Sequence, residues 1–231
     1  MNIIAIIPAR GGSKRIHRKN ILPLAGKPLL QYSIEHAKRS SHIKRIIVST
    51  DDYEISCVAS ACGAEVVERP PELSDDFVSS ESALLHALGH LEQKEGFDPD
   101  LIVFLQCTSP LRQHDDIDGA IDTLIRGRYD SLFSAFKFNK YIWQMNGDSV
   151  VSINYDYMKR LREQDFPEQF QENGSIYVMK PYVLKQFNNR LGGKIGVYEM
   201  SCLDSIQIDT YEDIELCECI LSIKKNCRSE S

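Results

Sequence analysis

Pro8-Ala9-Arg10-Gly11-Gly12-Ser13-Lys14-Arg15-Ile16-His17-Arg18-Lys19-Asn20 leaves the apolar run Ile3-Ile4-Ala5-Ile6-Ile7 without a break, and this junction decides the fold. A β-branched run of that length, bounded by Pro and Gly, reads as a strand buried on both faces. The turn that follows carries paired glycines, which let backbone approach a ligand closely. Arg10, Lys14, Arg15, Arg18 and Lys19 add positive charge with no acid among them. The backbone N–H groups of Gly11 to Lys14 are expected to converge with those charges on an anion. Neither G-x-x-x-x-G-K-S/T nor G-x-G-x-x-G occurs in the turn, which sets aside a Walker-type loop and a dehydrogenase fingerprint.

That cluster is a local exception in a chain of 231 residues with a formal net charge of -6. An acidic total argues against a general nucleic-acid surface and for a small anionic ligand at one site. Hydrophobic residues are 42% and charged residues 26%, an ordinary balance for a globular protein, and the length suits one α/β domain with an appendage. No apolar stretch is long enough to span a bilayer, and the N-terminal run lacks a signal-peptide pattern, so a cytoplasmic protein without membrane contact is expected. Cys57, Cys62, Cys107, Cys202, Cys217, Cys219 and Cys227 are scattered without a C-x-x-C pair, which indicates neither a disulfide framework nor a zinc site.

Outward from the first turn, apolar runs alternate with helical periodicity. Leu29, Leu30, Ile34 and Ala37 predict a helix, Ile43 to Val48 a second buried strand, Tyr53 to Ala61 a helix stopped at Gly63, and Ala64 to Val67 a short strand. Ala83, Leu84, Ala87, Leu88 and Leu91 form the next stripe, followed by a strand at Leu101 to Leu105 and a helix opened by Asp115 and Asp116. This β-α-β-α order predicts a doubly wound, mostly parallel sheet, and polar clusters at Ser49-Thr50-Asp51-Asp52 and Gln106-Cys107-Thr108-Ser109 fall at strand ends, where such sheets bind ligands. After Ser131 to Phe138 the pattern changes to a hairpin turning at Asn146-Gly147-Asp148 and an aromatic, charged stretch to Phe170. A strand at Ile176 to Met179, a helix from Pro181, a strand at Ile195 to Glu199 and a helix from Tyr211 to Ile223 complete the chain.

Three acids have two readings each. Asp51 or Asp52 could cap the helix near Tyr53, and Asp209 could cap the helix after it or hold a cation. His86 and His90 have a zinc-like i,i+4 spacing but lack the glutamate of H-E-x-x-H and a third ligand, so they read as solvated.

Taken together, Ile7-Pro8-Ala9-Arg10-Gly11-Gly12-Ser13-Lys14, Arg18-Lys19-Asn20, Leu24-Ala25-Gly26-Lys27-Pro28-Leu29, Val48-Ser49-Thr50-Asp51-Asp52, Glu68-Arg69-Pro70, Leu105 to Arg112, Glu172 to Tyr177 and Ser205 to Thr210 resemble, in order, the acylneuraminate cytidylyltransferases, which make CMP-sialic acids and related CMP-nonulosonates. The resemblance spans almost the whole chain and implies a Rossmann-like nucleotidyltransferase fold over 1–231, with a dimerising excursion near 139–171. It implies attack by the anomeric hydroxyl of a nine-carbon 2-keto sugar acid, of sialic or legionaminic type, on the α-phosphate of CTP, releasing pyrophosphate. By the same resemblance Arg10, Lys14 and Lys19 serve catalysis, and Gly11, Gly12, Ser13, Asn20, Arg69 and Ser80 bind the nucleotide. Gln106, Asn173 and Tyr177 face the sugar acid, and Asp209 holds Mg²⁺. Ser109 and Arg112 look like supports of their loop. One position departs from the pattern: Gln207 stands where family members often carry a second Asp. The implied partners are CTP, a nonulosonic acid and a second copy of the chain. A transferase for an eight-carbon keto acid and a non-catalytic nucleotide sensor are the alternatives.

Overall fold

The computed structural model describes residues 1–75 and 78–229. The chain runs β1 (Ile3–Pro8), β2 (Pro23–Leu24), β3 (Lys27–Pro28), α1 (Leu29–Arg39), β4 (Ile43–Thr50), α2 (Tyr53–Ala61), β5 (Glu65–Glu68), α3 (Ser80–Glu95), β6 (Leu101–Leu105) and α4 (Asp116–Gly127). It continues through β7 (Ser131–Lys137), β8 (Trp143–Asn146), β9 (Ser149–Ser152), β10 (Phe170–Met179), α5 (Pro181–Phe187), β11 (Ile195–Glu199) and α6 (Tyr211–Ser229). Among the described residues no helix is long and apolar enough to cross a membrane.

Seven strands form one sheet in the order β11-β7-β10-β6-β1-β4-β5, with β10 alone antiparallel to its neighbours. The expected doubly wound, mostly parallel sheet is therefore what the chain builds. Alternate residues of β1 serve opposite layers: Ile3, Ala5 and Ile7 pack with Leu30, Ile34 and Ile121 from α1 and α4, while Ile4 and Ile6 pack with Leu84, Leu88 and Leu184 from α3 and α5. Strands covered on both faces have no polar side, which is why β1 and β6 are continuous apolar runs. β1 lies between β4 and β6, so successive connections depart in opposite directions and leave a crevice at the strands' carboxyl ends.

A third cluster was not apparent from periodicity. Ile16, fully buried inside the basic turn, packs with Leu24, Leu29, Tyr32, Leu111, Ile208 and Cys217. This apolar anchor ties an otherwise irregular loop to α6 and the segment before it.

The stretch Glu172-Asn173-Gly174-Ser175 lies inside β10, where the register breaks between Glu172 and Tyr177. Gly174 has φ +62, and a Cβ there would meet Gln207 Nε2 and, at 3.0 Å, Gln106 Oε1. Gly174→Ala should therefore lower stability by about 1–3 kcal/mol, checked by the denaturant midpoint; an unchanged midpoint would show that the bulge tolerates a side chain.

Residues 138–169 leave the sheet. β8 and β9 pair only with each other, and Tyr141, Trp143, Tyr155 and Phe166 cluster beside them. Trp143, Met145, Val150 and Val151 remain exposed.

Candidate active site

The crevice holds a cleft of about 570 Å³. The first turn contributes Arg10, Ser13, Lys14, Arg15, Lys19 and Asn20 to it, the segment after β5 contributes Arg69 and Asp75, and the start of α3 contributes Ser79 and Ser80. Phe104, Gln106, Cys107 and Thr108 come from the end of β6, and Asp209 comes from the approach to α6. Among these lining residues are five cationic side chains and two carboxylates, so the cleft is positive within an acidic chain. Phe104 and Asp75 carried no signal for the site in the sequence, while Thr108 belongs to the polar cluster expected at the end of its strand; Phe104 in particular is one residue of an apolar strand whose partner side chains lie far away in the chain.

Each wall is held by specific bonds. Asn20 Nδ2 donates to the Arg10 carbonyl at 2.9 Å, and Arg10 donates to the Asp75 carbonyl at 3.2 Å, closing the first turn onto the loop after β5. Lys19 Nζ donates to the Ile208 carbonyl at 2.9 Å and to Asp209 Oδ1 at 3.0 Å. The Arg69 guanidinium is buried, donates to the Ser49 carbonyl at 3.0 Å, and has its pKa lowered by burial. Ser79 caps α3, its Oγ accepting from the Ser82 N–H at 3.3 Å, which sets Ser80 at the helix start facing the cleft. Burial pushes the Cys107 thiol up to about 12, leaving it an apolar wall element rather than a nucleophile.

The backbone cradle is narrower than expected. The Gly11 N–H donates to Asp51 Oδ1 at 3.1 Å, and the Ser13 N–H donates to the Gly11 carbonyl at 3.1 Å, so two of these donors are spent within the fold. The cause is register: β1 and β4 pair Pro8 with Ser49, which brings the acids after β4 beside the turn after β1. Asp52 caps α2 by accepting from the Ile55 N–H at 2.9 Å and also holds Arg18 at 2.9 and 3.0 Å. A Cβ on Gly11 would lie 2.7 Å from Asp52 Oδ2, so this glycine makes room for that bridge. Around Gly12 a Cβ would meet nothing within 4 Å. Neither Gly11 nor Gly12 lines the cleft.

Asn173 and Tyr177 are also absent from it. Asn173 is buried; its Oδ1 accepts from Ser134 Oγ at 2.6 Å and its Nδ2 donates to Ser205 Oγ at 2.8 Å, so its amide locks the β10 bulge. Tyr177 stacks on Phe104 with centroids 5.3 Å apart, and its hydroxyl donates to Glu172. Its reach to the cleft is through Phe104. Alternation along a bulged strand turns both side chains into the core, a geometry that sequence order does not display. Arg112, only 4% exposed, donates to Ser33 Oγ at 3.0 Å and to the carbonyls of Gln106 at 2.6 Å and Ser175 at 2.7 Å. It is the support of the Gln106 loop, and burial pushes its pKa down to about 10.

Against this geometry, a model of the cytidylyltransferase family matches residues 4–226. The chain belongs to the cytidylyltransferase family. It is 36% identical to N-acylneuraminate cytidylyltransferase A of Danio rerio over 94% of this chain and 50% of the relative, so it spans about half that relative's length. With the pseudaminic acid cytidylyltransferase of Campylobacter jejuni it shares 31% identity over 96% of this chain and 97% of the relative. A CMP:2-keto-3-deoxy-manno-octonic acid synthetase solved with CTP superposes with a TM-score of 0.70 at 16% identity, covering 97% of this chain and 100% of that one, which establishes likeness of fold.

For a cytidylyltransferase the acid at the cleft's edge decides whether a metal fits. Thr210, not Asp209, caps α6: its Oγ1 accepts from the Asp213 N–H at 3.3 Å, and Asp213 Oδ2 accepts from the N–H groups of Asp209 at 2.9 Å and Thr210 at 2.8 Å. The Asp209 carboxylate is thereby free of capping and faces Lys19 and, at 3.7 Å, Arg15. Gln207 donates its amide to the Asn173 carbonyl, which commits it to the bulge. No group of three or more metal-ligating side chains occurs among the described residues. One carboxylate beside a cationic cleft fits Mg²⁺, which completes its octahedron with phosphate oxygens and water. Asp209 is the side chain that fits this part.

Proposed function

We propose that the chain transfers CMP from CTP to the anomeric hydroxyl of a nine-carbon 2-keto sugar acid and releases pyrophosphate. The observation that carries this reading is the convergence of Arg10, Ser13, Lys14, Lys19, Arg69, Gln106 and Asp209 on one cleft at the sheet's switch point. The names of the relatives from Danio rerio and Campylobacter jejuni support the substrate class. A bond forms between the anomeric oxygen and the α-phosphorus, the bond from that phosphorus to the bridging oxygen breaks, and the hydroxyl proton leaves to solvent. Such a displacement needs alignment and neutralisation of charge building on pyrophosphate more than covalent help. In this reading Arg10, Lys14 and Lys19 take the triphosphate, Ser13 adds a hydroxyl donor, and Asn20 holds the turn against Arg10 and meets the ribose. Arg69 and Ser80 border the base, and Gln106 meets the sugar acid. Mg²⁺ belongs to the proposal with Asp209 as its protein ligand; when bound it neutralises phosphate charge.

The test is pyrophosphate release from CTP and Mg²⁺ with sialic, legionaminic, pseudaminic and 2-keto-3-deoxy-manno-octonic acids. Turnover with a nine-carbon acid is expected. Turnover with the eight-carbon acid alone would replace the substrate class. Silence across the panel with CTP still bound would favour a nucleotide sensor, the reading that Gln207, committed to the bulge, favours.

A homodimer through residues 139–171 is part of the same proposal. The exposed Trp143, Met145, Val150 and Val151 on an isolated two-stranded hairpin support it, since such a hairpin is marginal without a covering partner. Sedimentation at micromolar concentration should give twice the chain mass; a monomer there would remove the dimer. A cytoplasmic setting completes the proposal and is supported by the free thiols of the six cysteines whose side chains the structure describes.

A further inference from the structure

A second cleft, of about 250 Å³ against 570 Å³ for the first, is lined by the continuation of the same loop after β6 together with α1 and α6. Its lining includes five cations, Lys27, Arg39, Arg112, Lys224 and Lys225, and one carboxylate, Glu35. Glu35 accepts from Lys27 at 2.9 and 3.0 Å and lies 3.8 Å from Arg39; Lys224 is paired with Asp204. Arg112 and Lys225 form no ion pair among the described residues. The cleft therefore holds more positive charge than its own acids neutralise.

Two buried nitrogens add to this. His36 is 7% exposed and Arg112 4% exposed, both line the cleft, and neither His36 Nδ1 nor Arg112 Nε has a hydrogen-bond partner. Buried polar atoms are nearly always paired, so two orphans on residues facing one cationic cleft call for an explanation. Burial first, then the charges of Arg112, Arg39, Lys224 and Lys27, drive the His36 pKa down to about 3, so this imidazole stays neutral beside the cleft. A small anion answers the excess charge directly; the orphaned nitrogens, closed to water, meet it only if the side chains shift on binding.

We propose that this second cleft binds a small phosphate-type anion, of orthophosphate to pyrophosphate size. The Arg39 guanidinium, through its planar fork, and the Lys225 ammonium are exposed and suit phosphate oxygens; Arg112, whose terminal nitrogens are spent on Ser33, Gln106 and Ser175, adds charge alone. The volume, less than half that of the first cleft, favours an inorganic anion over a whole nucleotide. Because Arg112 lines this cleft and also holds the Gln106 carbonyl, an anion here lies beside the residue that supports the first cleft's wall. The assignment stands on the second cleft alone and does not depend on the reaction proposed for the first.

The test follows the histidine NMR signals of the full chain, assigned by substitution, during titration with orthophosphate, pyrophosphate or CMP. His36 and His114, which also lines the cleft, should shift saturably with the inorganic anions, both in the wild type and in an Arg10→Ala/Lys14→Ala variant whose first cleft is weakened. Arg39→Ala/Lys225→Ala, two exposed positions, should weaken that binding about tenfold or more. The same shifts with CMP would make a nucleotide's phosphate the source and keep the site. Signals that stay still with every anion, or an affinity unchanged by Arg39→Ala/Lys225→Ala, would overturn it.

Discussion

Lys19→Ala is expected to lower turnover by about 10²-fold or more in a protein that still folds. The side chain opens a single turn of 3₁₀ helix at Lys19–Ile21 and is only 14% exposed, with its ammonium held between the Ile208 carbonyl and Asp209. In the proposed reaction that charge must meet phosphate oxygens as negative charge moves onto the leaving pyrophosphate, so its loss weighs on kcat at least as much as on KM. Removing it also strips a partner from a backbone carbonyl, at a cost of about 1–3 kcal/mol in stability. The two effects separate when pyrophosphate release and thermal melting are measured on one sample. A folded variant with wild-type turnover would sink the assignment of Lys19 to the triphosphate.

Arg112→Ala should produce the largest loss of stability, about 3 kcal/mol or more, and with it a melting temperature lower by about 6–12 °C. Three acceptors, Ser33 Oγ and the carbonyls of Gln106 and Ser175, lose their donor in a place water does not reach. Part of that loss is offset, because burying a guanidinium is itself unfavourable, as its lowered pKa records. Arg112→Lys should recover little, since one ammonium cannot satisfy three acceptors spread across α1, β10 and the loop after β6. The variant's Gln106 loop should loosen as well, visible as faster amide exchange at Gln106 and Cys107. An unchanged denaturant midpoint for Arg112→Ala would show that the guanidinium is not the support of that loop.

Much of the site was readable because its residues sit where the chain leaves a buried strand. β1 and β6 are apolar on both faces, so their ends are sharp in sequence, and the polar groups just beyond them, Arg10, Lys14, Lys19 and Gln106, all reach the cleft. Arg69 and Ser80 were reached by resemblance, not by pattern, since the segment that carries them is an irregular loop and the first residue of α3. Asn173 and Tyr177 went the other way: they are near the site in sequence order but locked in the core by the β10 bulge, whose partners are 27 to 39 residues distant or more.

By itself the sequence determined the doubly wound sheet and the place of the basic turn at the end of its first strand, because hydrophobic periodicity and local charge are properties of neighbouring residues. Only the tertiary structure decided how that turn is used. Strand pairing sets Asp51 and Asp52 against Gly11 and Arg18, and so spends part of the expected cradle on the fold. Packing buries Ile16 against Ile208, which carries Asp209 to Lys19 from 190 residues away. Thr210 and Asp213 cap α6 and release Asp209 to face the cleft. The capping is local, but the first two choices depend on which distant groups meet, and a one-dimensional pattern carries no record of that meeting.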